Sequence, residues 1–136
     1  MEPVTVEVVV NSDIDTVWET WVSPEHIKQW NNASDDWHTP HAEVDLREGG
    51  EFLSRMEAKD GSFGFDFRGM YQKIVPLQLI EYNIEDGRHV SIVFEATADG
   101  VKVTETFDPE ETNPVAMQKK GWQAILNSFA KYVESM

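Results

Sequence analysis

Three Asp-Gly dipeptides separate alternating apolar and polar runs in the middle of the chain. They lie at residues 60–61, 86–87 and 99–100. An Asp-Gly pair between two alternating runs is the strongest short-range signal for a tight β-hairpin, because both residues tolerate the positive φ angles of the turn. Three such turns predict an antiparallel meander, in which each strand pairs with its neighbours along the chain.

The runs around these turns have the two-residue period that a half-buried strand requires. A similar run lies near the N-terminus, and Pro76 ends the longest of the runs. The predicted strands cover residues 3–11, 41–47, 51–58, 62–75, 77–84, 88–96 and 101–108.

Two short helices are predicted between the first strand and the meander. Residues 14–21 carry apolar side chains at helical spacing, and Ser12 or Asp13 can cap this helix. For the second helix, Ser23 is the expected N-cap and Pro24 takes the first helical position.

A long amphipathic helix is predicted at the C-terminus. Thr112 or Asn113 would cap it, and Pro114 would take its first position. Apolar residues then recur at intervals of three and four from Met117 to Val133. This pattern indicates a helix of about six turns with one apolar face.

The stretch WNNASDDWHTPH, residues 30–41, is too rich in Asn, Ser, Asp and Pro for a regular element. We expect an irregular loop that closes one end of the space between sheet and helix. Trp30 and Trp37 would lie at the mouth of that space.

The order of these elements predicts the fold class. A sheet with one apolar face must be covered, and only the terminal helix is long enough to cover it. We therefore predict one α+β domain over residues 1–136 with a helix-grip fold. A curved antiparallel sheet of six to seven strands wraps on the C-terminal helix, with two short helices after the first strand.

The excess of acidic residues disfavours partners that are themselves anionic. The chain has 25 acidic residues against 11 Lys and Arg, for a formal net charge of −14. Phosphate contacts require clustered cations, so we expect no nucleic-acid partner and no attraction to anionic membranes. There is no cysteine, no apolar run long enough to span a membrane and no signal-peptide pattern. We expect a cytoplasmic protein.

Motifs along nearly the whole chain resemble one family. From about Val4 to Tyr132, the sequence resembles bacterial homologues of the activator of the heat-shock protein 90 ATPase, within the START-like (SRPBCC) superfamily. The matching motifs are VWETWVSPEHIKQWN, ASDDWH, DLREGGEF, RMEAKDGSFGFDF, GMYQKIVP, VTETFDPE and GWQAILNSFAKY.

The resemblance implies a helix-grip domain with a cavity. Related START-like proteins bind lipids, polyketides, hormones or flavonoids there, and a few catalyse cyclisation or hydrolysis. The family name implies a chaperone as an alternative partner.

His38 and His41, with Asp35 and Asp36 close by, have the residue types that bind zinc and other divalent ions. Pro40 lies between the histidines and disfavours helical geometry at the residue before it. The pair therefore loses the i, i+3 placement on one helical face, and we predict no metal site. We also predict no cofactor, because the phosphate-loop and dinucleotide motifs are absent.

Alternation in the last strand places Glu105 on its apolar face. A carboxyl group among apolar side chains has a raised pKa, and could serve a cyclase or hydrolase as acid or base. His38 is a weaker candidate for such a role. The alternative, which we favour, is a structural hydrogen bond that only specifies the fold. The expected partners for this bond are Arg55, Arg68, Trp122 or a backbone donor.

We favour a small hydrophobic or aromatic ligand, such as a lipid, polyketide or flavonoid-like molecule, over a filled core. Gly121 supports this preference, because a mid-helix glycine costs about 1 kcal/mol relative to alanine and its missing side chain leaves room for a strand, an indole or a ligand. The alternative is that the aromatic side chains pack as solid core. Polar groups at His38, Tyr71, Glu105 and Trp122 would orient the ligand. The predicted ligand-binding residues are Trp30, Trp37, His38, Phe52, Met56, Phe65, Phe67, Tyr71, Phe94, Glu105, Phe107, Met117, Trp122, Ile125, Leu126 and Phe129.

Overall fold

A computed structural model describes residues 2–136. It contains seven strands and three helices in an order that confirms the predicted helix-grip fold. The elements are β1 (Val4–Val10), α1 (Ile14–Val22), α2 (Pro24–Trp30), β2 (Trp37–Val44), β3 (Glu51–Ala58), β4 (Gly64–Val75), β5 (Leu79–Ile84), β6 (His89–Thr97), β7 (Gly100–Phe107) and α3 (Val115–Glu134).

The seven strands form one antiparallel sheet in the order β1-β7-β6-β5-β4-β3-β2. Strands β2 to β7 are the predicted meander, and β1 pairs with β7 at the far edge. Gly61 and Gly87 have positive φ angles in the turns, and Gly100, also with a positive φ angle, is the first residue of β7. The chain therefore reverses near all three Asp-Gly pairs as predicted, but only the glycine of each pair takes a positive φ angle.

The prediction that residues 30–41 are wholly irregular is wrong, because Trp37–Val44 forms strand β2. Pro40 lacks a backbone N–H, but β2 is an edge strand that pairs only with β3. The register also shifts between His38 and His41. Proline is tolerated at edges and bulges, where no ladder hydrogen bond is lost. The Thr39 hydroxyl donates to the Asn31 carbonyl at 2.6 Å and ties this strand to the end of α2.

The predicted helix starts are partly confirmed. Asp13 caps α1, and its carboxylate accepts from the Thr16 backbone N–H at 3.1 Å. At α3 neither Thr112 nor Asn113 is the cap. Pro114 occupies the N-cap position and provides no side-chain hydrogen bond.

Helix α3 lies closest to β1 and to the two short helices, and side chains and a cavity fill the space between it and the central strands. One end of this space is solid. There the rings of Trp21, Trp30 and Phe129 pack with centroids 4.8 to 4.9 Å apart. No helix among residues 2–136 is both long and apolar enough to span a membrane.

Candidate functional site

A cavity of about 320 Å³, the inner cavity, lies between α3 and the concave face of the sheet. Strands β2, β3, β4, β5 and β7 and all three helices contribute to its wall. Its lining residues are Trp21, Ile27, Trp30, Asn31, Val44, Phe52, Ser54, Met56, Phe65, Phe67, Tyr71, Ile80, Tyr82, Arg88, Glu105, Glu110, Asn113, Gln118, Trp122 and Ile125.

A second space of about 360 Å³, the outer pocket, adjoins the inner cavity. The two share wall residues, among them Met56, Phe65 and Trp122. The outer pocket reaches the surface at Met117, whose side chain is 57% exposed. It is therefore the entrance to the inner cavity.

Three aromatic rings lie together at the entrance. The centroid of the Trp37 ring is 6.0 Å from that of Phe63 and 6.2 Å from that of Phe65. Phe63 is 61% exposed, so this end of the molecule presents apolar surface to solvent.

Glu105 is the buried carboxyl group of the inner cavity. It lies on β7 between Val6 of β1 and Ile92 of β6, and it is only 6% exposed. Its side chain forms no hydrogen bond or ion pair with any residue in the range 2–136, and it is not sealed off as a buried unsatisfied group. Its carboxyl therefore meets the cavity space. Burial raises the pKa of Glu105 to about 8.

Tyr82 lies near this carboxyl, and Tyr71 lies beside Tyr82. Tyr82 and Tyr71 face each other across β5 and β4, with ring centroids 6.5 Å apart. Burial, followed by the charge of Glu105, raises the pKa of Tyr82 well above its ordinary value. Burial, followed by the charge of Asp45, raises the pKa of Tyr71 in the same way. Both hydroxyls therefore keep their protons and can serve as donors.

Glycine at position 69 makes room for the aromatic wall. Phe52 packs against Tyr71 and Tyr82 with ring centroids 5.4 and 4.7 Å away. A Cβ atom at Gly69 would lie 2.6 Å from Cζ of Phe52 and 2.9 Å from the Asn83 carbonyl oxygen. Any side chain at position 69 would therefore clash with the Phe52 ring and with the β5 backbone unless they moved.

The helix side of the cavity depends on Trp122 and Gln118. The Trp122 ring stacks on Phe107 with centroids 4.1 Å apart and planes 9° from parallel. Gln118 is buried at the start of α3, and its amide donates to the Glu110 and Asn113 carbonyls at 3.0 and 2.8 Å. Its oxygen accepts from the Glu110 backbone N–H at 2.8 Å. One side chain thus fixes the loop that leads into α3.

A model of the family "Activator of Hsp90 ATPase homolog 1-like protein" matches residues 11–134. The chain belongs to this family. Membership supports a ligand-binding or activator-like role in general terms, without naming a ligand.

Solved structures of similar proteins agree with the AHSA1-like assignment. The chain is 41% identical to the AHSA1-like protein of Aeromonas hydrophila, over 98% of this chain and 93% of that one, with a TM-score of 0.93. It is 53% identical to a protein of Cytophaga hutchinsonii, over 96% and 91%, with a TM-score of 0.83. The Aha1 dimer from Colwellia psychrerythraea, at 14% identity over 98% and 97%, shares the fold with a TM-score of 0.78. The search of curated proteins found no match.

The AHSA1-like structure brings most of the predicted ligand-binding residues to the two spaces. Trp30 lies in the wall of the inner cavity and not at its mouth, because it is 5% exposed and its indole N–H donates to the Thr20 carbonyl at 3.0 Å. The predicted residues that line the inner cavity are Trp30, Phe52, Met56, Phe65, Phe67, Tyr71, Glu105, Trp122 and Ile125. Trp37 and Met117 line only the outer pocket.

Five predicted residues line neither space. Phe107 lies beneath Trp122, and Phe94 packs against Trp18 and Trp21 of α1 with centroids 5.2 and 5.7 Å away. Leu126 and Phe129 are fully buried in the core.

His38 is the fifth, because it lies on the outer face of β2. Its ring is 3.6 Å from the Glu57 carboxylate. His41 contacts Glu43 at 2.7 Å instead, and no group of three or more His, Asp or Glu within residues 2–136 is placed to hold a metal ion.

The structural hydrogen bond that we favoured for Glu105 is also absent. None of its expected partners, Arg55, Arg68, Trp122 or a backbone donor, bonds the Glu105 side chain within residues 2–136. Arg55 donates instead to Glu57 at 2.9 Å and to Asp66 at 3.3 Å, because it lies on the opposite face of the sheet from Glu105.

The sequence interpretation did not include several lining residues. Ile80 and Tyr82 could have been found from the alternation in residues 77–84. Arg88 and Gln118 could not, because each reaches the cavity from a turn or helix start whose position depends on tertiary packing.

Proposed function

We propose that this AHSA1-like protein binds a small, largely apolar molecule in the inner cavity. The observation that carries the proposal is Glu105, a buried carboxyl with no protein partner that faces a space walled by aromatic rings. A cavity of about 320 Å³ is at the lower end of the range for small-molecule sites. Apolar walls with a few placed polar groups are typical of such sites.

Native mass spectrometry of freshly purified protein is the first test. A retained small molecule is the expected result, and its mass begins to identify it. Chemical-shift perturbation with a library of hydrophobic compounds is the second test. Shifts at Phe52, Tyr82 and Ile125 support the proposal, whereas a library that never shifts them contradicts it.

A cavity-filling variant sharpens the test. Ser54 is buried and lines the inner cavity, so Ser54→Leu places a larger apolar side chain in the binding space. We expect binding to weaken by about tenfold or more, because the ligand then competes with the new side chain for the same volume. The matched control is Ser91→Leu on β6, where position 91 points away from the cavity. Equal binding by both variants contradicts the proposed site.

A second proposed function is interaction with a chaperone ATPase. The family description and the net charge of −14 support it. It predicts that the protein stimulates the chaperone's ATPase and that added salt weakens the effect, because attraction between exposed charges is screened. An unchanged ATPase rate at low salt contradicts this function.

A further inference from the structure

The environment of Glu105 indicates the chemistry of the missing ligand group. The side chains directly across from it on β1 and β6, Val6 and Ile92, are apolar and cannot donate a hydrogen bond. The Glu105 oxygens are open to the cavity space, so a ligand group can hydrogen-bond to this carboxyl there. Because Val6 and Ile92 offer no donor, a positively charged donor on the ligand would favour the ionised form of the carboxyl.

The charges around the cavity favour a positive donor. Arg88 is the only Lys or Arg that lines the inner cavity among residues 2–136, and its guanidinium donates to Asp86 at 2.8 Å. A second carboxylate, Glu110, also lines the cavity. With a net charge of −14 on the whole chain, a cation entering this space gains electrostatic energy and an anion loses it.

The cavity wall also suits a cation. Tyr71, Tyr82 and Phe52 form one contiguous set of rings in the cavity wall. Trp122 and Phe67 stand on the helix side, with centroids 6.3 Å apart. The faces of aromatic rings attract ammonium groups, and this attraction persists inside an apolar space that holds little water to solvate the charge.

We infer that the ligand is a hydrophobic amine, whose protonated nitrogen donates to the Glu105 carboxylate while its apolar body fills the inner cavity. This inference rests on the proposed small-molecule function and adds the chemical class. It excludes free fatty acids and other organic anions as the preferred ligands.

Binding of such an amine has a proton balance. In the free protein the Glu105 carboxyl holds its proton at neutral pH, because burial disfavours the charged form. When the ammonium group arrives, the carboxyl proton passes to solvent and leaves a carboxylate–ammonium pair. The nitrogen keeps its own protons, so binding releases up to one proton for each ligand.

Three matched probes separate the ligand classes: 1-naphthylmethylamine, 1-naphthylmethanol and 1-naphthoate. Isothermal titration at about pH 6.5, in two buffers of different ionisation enthalpy, gives the affinity and the proton release together. The wild-type protein is expected to bind the amine about tenfold or more tightly than the alcohol, and to release close to one proton with the amine only.

Glu105→Gln is the decisive variant. It is expected to lose both the preference for the amine and the proton release, so that the amine and the alcohol bind with similar affinity. Glu95→Gln is the matched control, since it makes the same charge change at an exposed position on β6. It is expected to retain the preference for the amine and the proton release.

Each outcome bears on one of the two proposals. Binding of the alcohol with no preference for the amine, or preference for the naphthoate, overturns the amine inference and leaves the small-molecule function supported. A preference for the amine that survives in Glu105→Gln also overturns it. If none of the probes binds, both proposals are contradicted for ligands of this size. If Glu105→Gln fails to fold, the wild-type protein still tests the amine inference. Its amine-to-alcohol affinity ratio and its proton release are then compared with the expected values.

Discussion

Glu105 places a carboxyl group among apolar side chains that disfavour its charged form, and this links stability to pH. Burial raises its pKa from 4.5 to about 8. Between these values the folded protein holds a proton that the unfolded chain has released. The contribution of Glu105 to the free energy of unfolding is therefore fully present below about pH 4.5 and is lost as the pH rises toward 8 and above.

We predict that Glu105→Gln becomes more stable relative to wild type as the pH rises. Glutamine does not titrate, so the difference in unfolding free energy between the two proteins should grow by up to about 1.4 kcal/mol per pH unit within this window. Urea denaturation at acidic, neutral and alkaline pH measures it. Glu95→Gln should show no such trend, and a difference for Glu105→Gln that stays constant with pH contradicts the assignment.

Gly69 shapes the aromatic wall of the cavity, because its lack of a side chain leaves room for the Phe52 ring. We predict that Gly69→Ala destabilises the protein by about 1–3 kcal/mol, because the new methyl group must displace the Phe52 ring or the β4–β5 backbone. Chemical denaturation measures the loss, and near-ultraviolet circular dichroism reports the disturbed tyrosines. Unchanged stability would show that Phe52 has another low-energy position.

At the scale of single elements, helix α3 carries a glycine that packing does not require. The sequence interpretation assigned the missing side chain of Gly121 to a close strand, an indole or a ligand. A Cβ built there meets no atom of another element within 4 Å, so no strand approaches it, and the position faces the outer pocket.

We therefore predict that Gly121→Ala stabilises the protein by up to about 1 kcal/mol, because alanine has the higher helix propensity. Thermal and urea unfolding measure the gain in stability. In Gly69→Ala the same substitution is expected to change the free energy of unfolding in the opposite direction. A destabilised Gly121→Ala protein would mean that an unseen neighbour occupies the space.

The elements could be predicted to the extent that local chemistry determines them. The Asp-Gly turns and the alternating strands carry their own signals, so the meander and the inward direction of Glu105 follow from the sequence. The second half of β2 was predicted within the strand 41–47, but its first half, residues 37–40, could not be, because pairing with β3 overrides the local effect of Pro40. The cap of α3 could not be predicted either, although its start was placed within one residue, because the loop before the helix is held by Gln118 from within it.

The site was predicted less completely than the fold. Alternation in a strand predicts which face of the sheet a side chain lies on. It does not predict whether a helix side chain packs over that position and separates it from the cavity. Phe94 and Phe107 face inward as expected, yet Trp18 packs on the first and Trp122 on the second. His38 was misplaced because the register shift in β2 depends on pairing that no local pattern reveals.

At the scale of the whole molecule, net charge opposes the compact state. The chain carries a formal charge of −14, and its ion pairs are largely exposed and contribute little stability. We predict that the melting temperature rises by a few degrees when NaCl is raised from about 10 to 200 mM, because salt screens the repulsion among carboxylates. Sucrose at matched osmolality is the control. A melting temperature that falls with salt would show that attractive ion pairs dominate.

The pairing of β1 with β7 has a consequence for the newly made chain. The hydroxyls of Thr5 and Thr106 lie 3.1 Å apart in the sheet but are separated by 101 residues in the sequence. Strand β1 is synthesised before the other strands, yet its partner leaves the ribosome after all of them. At about 5–20 residues per second, the valine-rich β1 waits several seconds with an unpaired edge. During translation, β1 is therefore the segment most in need of protection against aggregation.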